Sequence, residues 1–115
     1  MTRPPTKENT VAEEITVDQL VIELDRGATV VDVREVDEYI DAHVPGVRLV
    51  PLGTIPDALD ALPRDETLYV ICRSGARSLR AADYLNANGF DAVSVAGGTM
   101  AWVQRGLDYQ TGDDR

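Results

Sequence analysis

Apolar residues recur along this chain in two rhythms, and their alternation outlines the fold. In Ile15 to Asp25, ITVDQLVIELD, the residues Val17, Leu20, Val21 and Leu24 fall at helical spacing, and Gly27 follows where a left-handed C-terminal cap would sit. The spacing predicts a short helix. Thr29-Val30-Val31-Asp32-Val33 is β-branched without clean alternation, the pattern of a strand covered on both faces in a parallel sheet. Arg34 to Ala42 predicts a second short helix, which His43-Val44-Pro45-Gly46 ends because Pro45 disfavours helical conformation at Val44. Val47 to Leu52 fits a short strand. Thr54 to Leu62, apolar at Ile55, Ala58, Leu59 and Leu62, fits a helix closed by Pro63.

Thr67 to Ile71 is the clearest buried strand in the chain. Beyond Cys72-Arg73-Ser74-Gly75-Ala76-Arg77, a helix is expected from Ser78, its cap, through Leu79, Ala82 and Leu85 to Asn88-Gly89. Ala92 to Val95 predicts another strand. Gly97-Gly98 then breaks the chain before a last helical turn around Met100, Trp102 and Val103, ended by Gly106, with Met100 and Trp102 expected in the core. Strands alternating with helices at short intervals imply an α/β domain with a mainly parallel central sheet flanked by helices on both faces. Ligands of such sheets sit beyond the carboxyl ends of the strands, and the Cys72 loop falls at such a place.

A chain of 115 residues fits one domain. With one cysteine and one histidine it can form neither an internal disulfide nor a zinc site of the usual spacing, so no metal or other cofactor is expected. A free thiol suits a reducing cytosol, and no segment is apolar enough to span a bilayer; the expected location is cytoplasmic. Met1 to Glu14, with two prolines, mixed charges and no apolar run, reads as a frayed tail rather than a signal peptide. The formal charge of −9 argues against nucleic acid as a partner.

Residues 72 to 80 run against that charge, since Arg73, Arg77 and Arg80 stand there without an acid. A turn between strand and helix can curl backbone N–H groups around the Cys72 sulfur, and the helix N-terminus adds its positive dipole end. Both favour the thiolate, which is the nucleophile. A lone cysteine at a strand end is often only a small buried hydrophobe. Here Gly75 in a tight turn, two loop arginines and Ser78 point instead to a reactive one.

At these residues the sequence resembles the rhodanese family. The resemblance is carried by Val31-Asp32-Val33-Arg34-Glu35 with Glu38-Tyr39, by His43-Val44-Pro45-Gly46, by Cys72-Arg73-Ser74-Gly75-Ala76-Arg77-Ser78, and by Gly97-Gly98 with Trp102 and Gly106. It covers about residues 15 to 108, leaving 1–14 and 109–115 as expected tails. Ala42 and Val47 depart from residues the family often has there, away from the loop. The resemblance implies a rhodanese-like sulfurtransferase domain with Cys72 carrying sulfur as a persulfide. Arg73, Ser74, Gly75, Ala76, Arg77 and Ser78 would form the substrate-binding loop, and Asp32 and Arg34 read as a loop-supporting pair that organises the loop after the first central strand.

The expected partners are a small anionic sulfur donor such as thiosulfate and an acceptor that is cyanide, a thiol or a protein, with the chain a monomer or homodimer. His43 is expected to fix its turn by hydrogen bonds rather than serve as a base. Two other readings compete: a non-catalytic protein-binding or sulfur-relay module, and a cysteine phosphatase. Phosphatases with similar loops carry one residue more between cysteine and arginine than the four found here, Arg73 to Ala76.

Overall fold

The computed structural model describes residues 11–115. Five strands, β1 (Glu14–Ile15), β2 (Thr29–Asp32), β3 (Arg48–Leu49), β4 (Thr67–Ile71) and β5 (Asp91–Val95), form one sheet in the order β1-β5-β4-β2-β3. Every neighbouring pair is parallel, with Asp32 beside Ile71 and Val70 beside Ser94. The helices are α1 (Val17–Asp25), α2 (Val36–Asp41), α3 (Ile55–Ala58), α4 (Ala76–Ala87) and α5 (Gly98–Gln104). A capping box starts α1, in which Thr16 Oγ1 accepts the Gln19 N–H at 3.1 Å and Gln19 Oε1 accepts the Thr16 N–H at 2.8 Å.

Coverage of both faces explains why β2 and β4 lack alternation. Val31, Leu68, Val70, Cys72 and Ala92 pack on one side with Ile55 of α3 and Ala81, Ala82 and Leu85 of α4. Val30, Ile71 and Val95 pack on the other with Val17 and Leu20 of α1 and Trp102 of α5. Leu68, Val70 and Ile71 are completely buried. At roughly 1.5 to 3 kcal/mol per buried aliphatic side chain, β4 is an anchored strand from which the next residue, Cys72, takes its position.

Several expectations are corrected. The stretch Thr54 to Leu62 is not one helix but a 3-10 turn at Leu52–Thr54, the single turn of α3, and a second 3-10 turn at Leu59–Ala61. Pro56 is tolerated only in a first turn, and Leu62 before Pro63 is extended at φ −98°, ψ 142°, so helical structure here is confined to the few residues between them. Ser78 does not cap α4, which begins at Ala76 after Gly75 in the left-handed region at φ +116°. Met100 is not a core residue but 37% exposed, whereas Trp102 is buried.

The tails are also shorter than expected. Glu14 opens β1, Glu13 O accepts the Ser94 N–H, and Ala12 is buried; the expectation for residues 1–10 lies outside the described residues. Residues 109–115 fold back on α2: His43 and Gln110 exchange N–H···O bonds of 2.8 and 2.9 Å, and the Gly112 N–H bonds Ile40 O at 2.8 Å. Asp114 meets Tyr39 Oη and, at 3.0 Å, His43 Nε2, so its carboxylate partners two polar groups at once.

Candidate active site

The chain leaves β4 at Ile71, and Cys72 follows with 1% of its surface exposed. Its Sγ accepts the Gly75 N–H at 3.1 Å and lies 3.4 Å from Ser78 Oγ. The N–H groups of Ser74 and Ser78 also favour the anion. The sulfur thus occupies the place that a capping oxygen usually fills at a helix N-terminus, which is why Ser78 is free of that duty. Burial pushes the Cys72 thiol up, but the Ser78 hydroxyl and the N–H groups of Ser78, Gly75 and Ser74 outweigh it and hold the pKa below its ordinary 9.0. The thiolate is favoured by donors rather than by an adjacent base.

One helix holds the loop from behind, and a buried ion pair stands beside it. At the start of α5 the Thr99 N–H bonds Cys72 O at 2.8 Å and the Met100 N–H bonds Arg73 O at 2.9 Å. Gly98, at φ +58°, makes this approach possible, since a Cβ there would collide with the Cys72 carbonyl oxygen and stand 2.6 Å from the Arg73 carbonyl carbon. On the other flank, Asp32 is fully buried and accepts both Nε and Nη2 of Arg34 at 2.8 to 3.1 Å. Arg34 in turn donates to Glu38 O at 3.2 Å, which also accepts the Ala42 N–H at 3.3 Å, and to Ala42 O at 2.7 Å, so it clasps the C-terminal end of α2.

The loop arginines separate into different roles. Arg77 forms a two-armed pair with Glu38, at 2.7 and 2.8 Å, joining α2 to the first turn of α4. That pairing pulls the Glu38 carboxyl down from its ordinary 4.5 to about 2 against the opposing effect of burial, and raises Arg77. Expected to face a donor anion, Arg77 is therefore already engaged by a carboxylate. Arg73 is exposed and lines a cleft of about 590 Å³ with Arg34, Glu38, Thr99, Met100 and Gln104. Arg80 borders a separate hollow with Ile55 and Tyr84. Ala76 contributes the first residue of α4.

His43 is buried, stacks on Tyr39 at 3.7 Å between ring centroids, and bonds Tyr39 O and Asp114 rather than the sulfur. Sequence reasoning missed the partner of Arg77 and also Ser94, whose Oγ lies 2.8 Å from Ser78 Oγ. A polar residue inside the apolar strand Ala92 to Val95 was the available signal for the latter.

The structure thus joins a parallel α/β sheet to a cysteine loop, lined with N–H donors, between its central strand and a helix. The family profile described as Rhodanese-like domain matches residues 16–105, and the chain belongs to that family. The Bacillus subtilis protein YtwF is 40% identical over 81 residues, covering 70% of this chain and 79% of the relative. A sulfurtransferase of Allochromatium vinosum is 36% identical over 78 residues, 67% of this chain and 73% of its own. The crystal structure of a rhodanese-like domain protein from Staphylococcus aureus superposes with a TM-score of 0.77 at 39% identity, over 86% of this chain and 99% of that one. Among the described residues no helix is long and apolar enough to cross a membrane.

Proposed function

We propose that the protein is a sulfurtransferase that moves sulfane sulfur from thiosulfate, or a donor of like charge, to cyanide or a thiol through a persulfide on Cys72. The Cys72 thiolate attacks the outer sulfur of the donor. An S–S bond forms to Sγ, the donor's own S–S bond breaks, and its electron pair leaves with sulfite. The acceptor then attacks the outer sulfur of the persulfide, and the pair of the breaking bond returns to Sγ as thiolate.

The observation that carries this reading is the ring of polar groups around Sγ: the Gly75 N–H at 3.1 Å, the Ser78 hydroxyl oxygen at 3.4 Å, and the N–H groups of Ser74 and Ser78, which together favour the thiolate. They serve both half-reactions, because the same sulfur is nucleophile in one and leaving group in the other. Arg73, at the cleft, supplies the cation for the donor's oxygens, and Arg77 acts on the loop through Glu38. With one cysteine in the chain, the acceptor is external. A free thiol of this kind suits a reducing compartment such as the cytoplasm.

Intact mass measurement after incubation with thiosulfate tests the proposal. The wild type gains one sulfur atom that cyanide removes, and Cys72→Ser gains none. Equal labelling of the two proteins refutes it.

A further inference from the structure

Behind the sulfur stands a second hydroxyl. Ser94 lies on β5, beside Val70 of β4, and is fully buried. Among the described residues its hydroxyl has a single hydrogen-bond partner, Ser78 Oγ at 2.8 Å. Ser78 Oγ is contested: Gly75 O lies 3.1 Å away and Cys72 Sγ 3.4 Å.

A hydroxyl has one proton and two lone pairs. While Cys72 is a thiol, its S–H can donate to Ser78 Oγ and the Ser78 proton can rest on Gly75 O. A thiolate only accepts. The Ser78 proton must then turn to sulfur, and its oxygen is left to accept from Ser94. The reverse order, Ser78 donating to Ser94, takes a donor from the sulfur and leaves the Ser94 proton without an acceptor in a buried site. A hydroxyl that accepts a hydrogen bond is also the stronger donor in its own.

We propose that Ser94 is a positioning residue for the sulfur chemistry: by donating to Ser78 Oγ it turns the Ser78 proton from the Gly75 carbonyl to the Cys72 sulfur. The inference rests on the sulfur-transfer reading above and adds to it a residue outside the cysteine loop. It has an asymmetric consequence. Without Ser94 the thiolate is more basic, hence a better nucleophile and a worse leaving group. With rates following roughly half of any change in thiol pKa, a midpoint raised by ~0.5 to 1 pH unit speeds sulfur loading about two- to threefold. It slows sulfur discharge by as much, when both are measured above the midpoint.

The test titrates the ultraviolet absorbance of the thiolate in wild type, Ser94→Ala, Ser78→Ala and the double variant, and follows loading by thiosulfate and discharge to cyanide in single turnovers. The midpoint is expected to rise in Ser94→Ala, to rise further in Ser78→Ala, and to be the same in the double variant as in Ser78→Ala. Ser94→Thr, which keeps the hydroxyl, restores the wild-type midpoint. Loading and discharge change in opposite directions in Ser94→Ala. An unchanged midpoint in Ser94→Ala, a shift that adds to that of Ser78→Ala, or equal slowing of both half-reactions overturns the proposal. Absence of loading in the wild type overturns the sulfur-transfer reading, and the titration still decides the hydroxyl relay.

Discussion

Glu38→Gln separates the contribution of the Glu38–Arg77 pair from that of the loop itself. Glutamine keeps the length of the side chain and its reach to the Glu35 N–H, which Glu38 Oε1 accepts at 3.1 Å, but removes the charge that Arg77 grips with two arms. The folded-state pKa of Glu38 is lowered from 4.5 to about 2, chiefly by the Arg77 hydrogen bonds, which corresponds to a ceiling of about 3 kcal/mol. The two side chains are 34% and 27% exposed, so solvent screening reduces the expected value to about 1 to 2 kcal/mol. Because the folded pKa lies below the unfolded one, the unfolded chain binds more protons between them and stability rises with pH. The contribution is complete above about pH 4.5, is roughly half lost by pH 3, and disappears as pH falls through about 2. Urea unfolding at pH 7 and pH 3 measures it. The variant is expected to be less stable than wild type by ~1 to 2 kcal/mol at pH 7, with a clearly smaller gap at pH 3. Equal gaps at both values, or none at pH 7, refute the reasoning.

Two further outcomes follow from Gly98 and from the buried Asp32–Arg34 pair. Gly98→Ala drives a Cβ into the Cys72 and Arg73 carbonyls at a positive φ, and is expected to cost about 3 kcal/mol in urea unfolding and to depress sulfur loading. Arg34→Ala leaves the Asp32 carboxylate buried without its partner and is expected to cost ~3 to 5 kcal/mol, whereas the double change Asp32→Val with Arg34→Met recovers much of that loss; a double variant no more stable than Arg34→Ala counts against the pair.

What could be read from the sequence, and what could not, divides by the range of the interactions. The central strands were visible because β4 and β2 need apolar, β-branched side chains on both faces, and that need is written into consecutive residues. The position of Cys72 followed from the end of β4 and the glycine after it. The Arg77 partner was not visible, because Glu38 lies 39 residues away and only the folded chain brings the two side chains together. Ser78 was misread as a cap because the capping acceptor is the sulfur, three residues before Gly75. Residues 109–115 looked like a tail because backbone bonds to His43 and Ile40 and one carboxylate hold them, and neither leaves an apolar pattern. Ser94 carried a faint signal, a hydroxyl inside an apolar strand, that a sequence shares with many harmless serines.

The depth at which Cys72 sits also sets how the protein meets oxidants. The thiolate attacks peroxide, forming an S–O bond as the O–O bond breaks, and oxidation past the sulfenic acid ends a cysteine's use for sulfur chemistry. A lowered pKa therefore exposes Cys72 to damage, while its burial works the other way. The fold separates basicity from access: hydrogen-bond donors decide how anionic the sulfur is, and the surrounding walls decide what can touch it. Slender reagents are favoured over bulky disulfides, so mixed disulfides with large thiols are disfavoured by shape alone. Since these 115 residues hold no second thiol, a sulfenic acid on Cys72 has no cysteine within the chain to condense with, and its repair depends on a small external reductant that can follow the route of the sulfur donor.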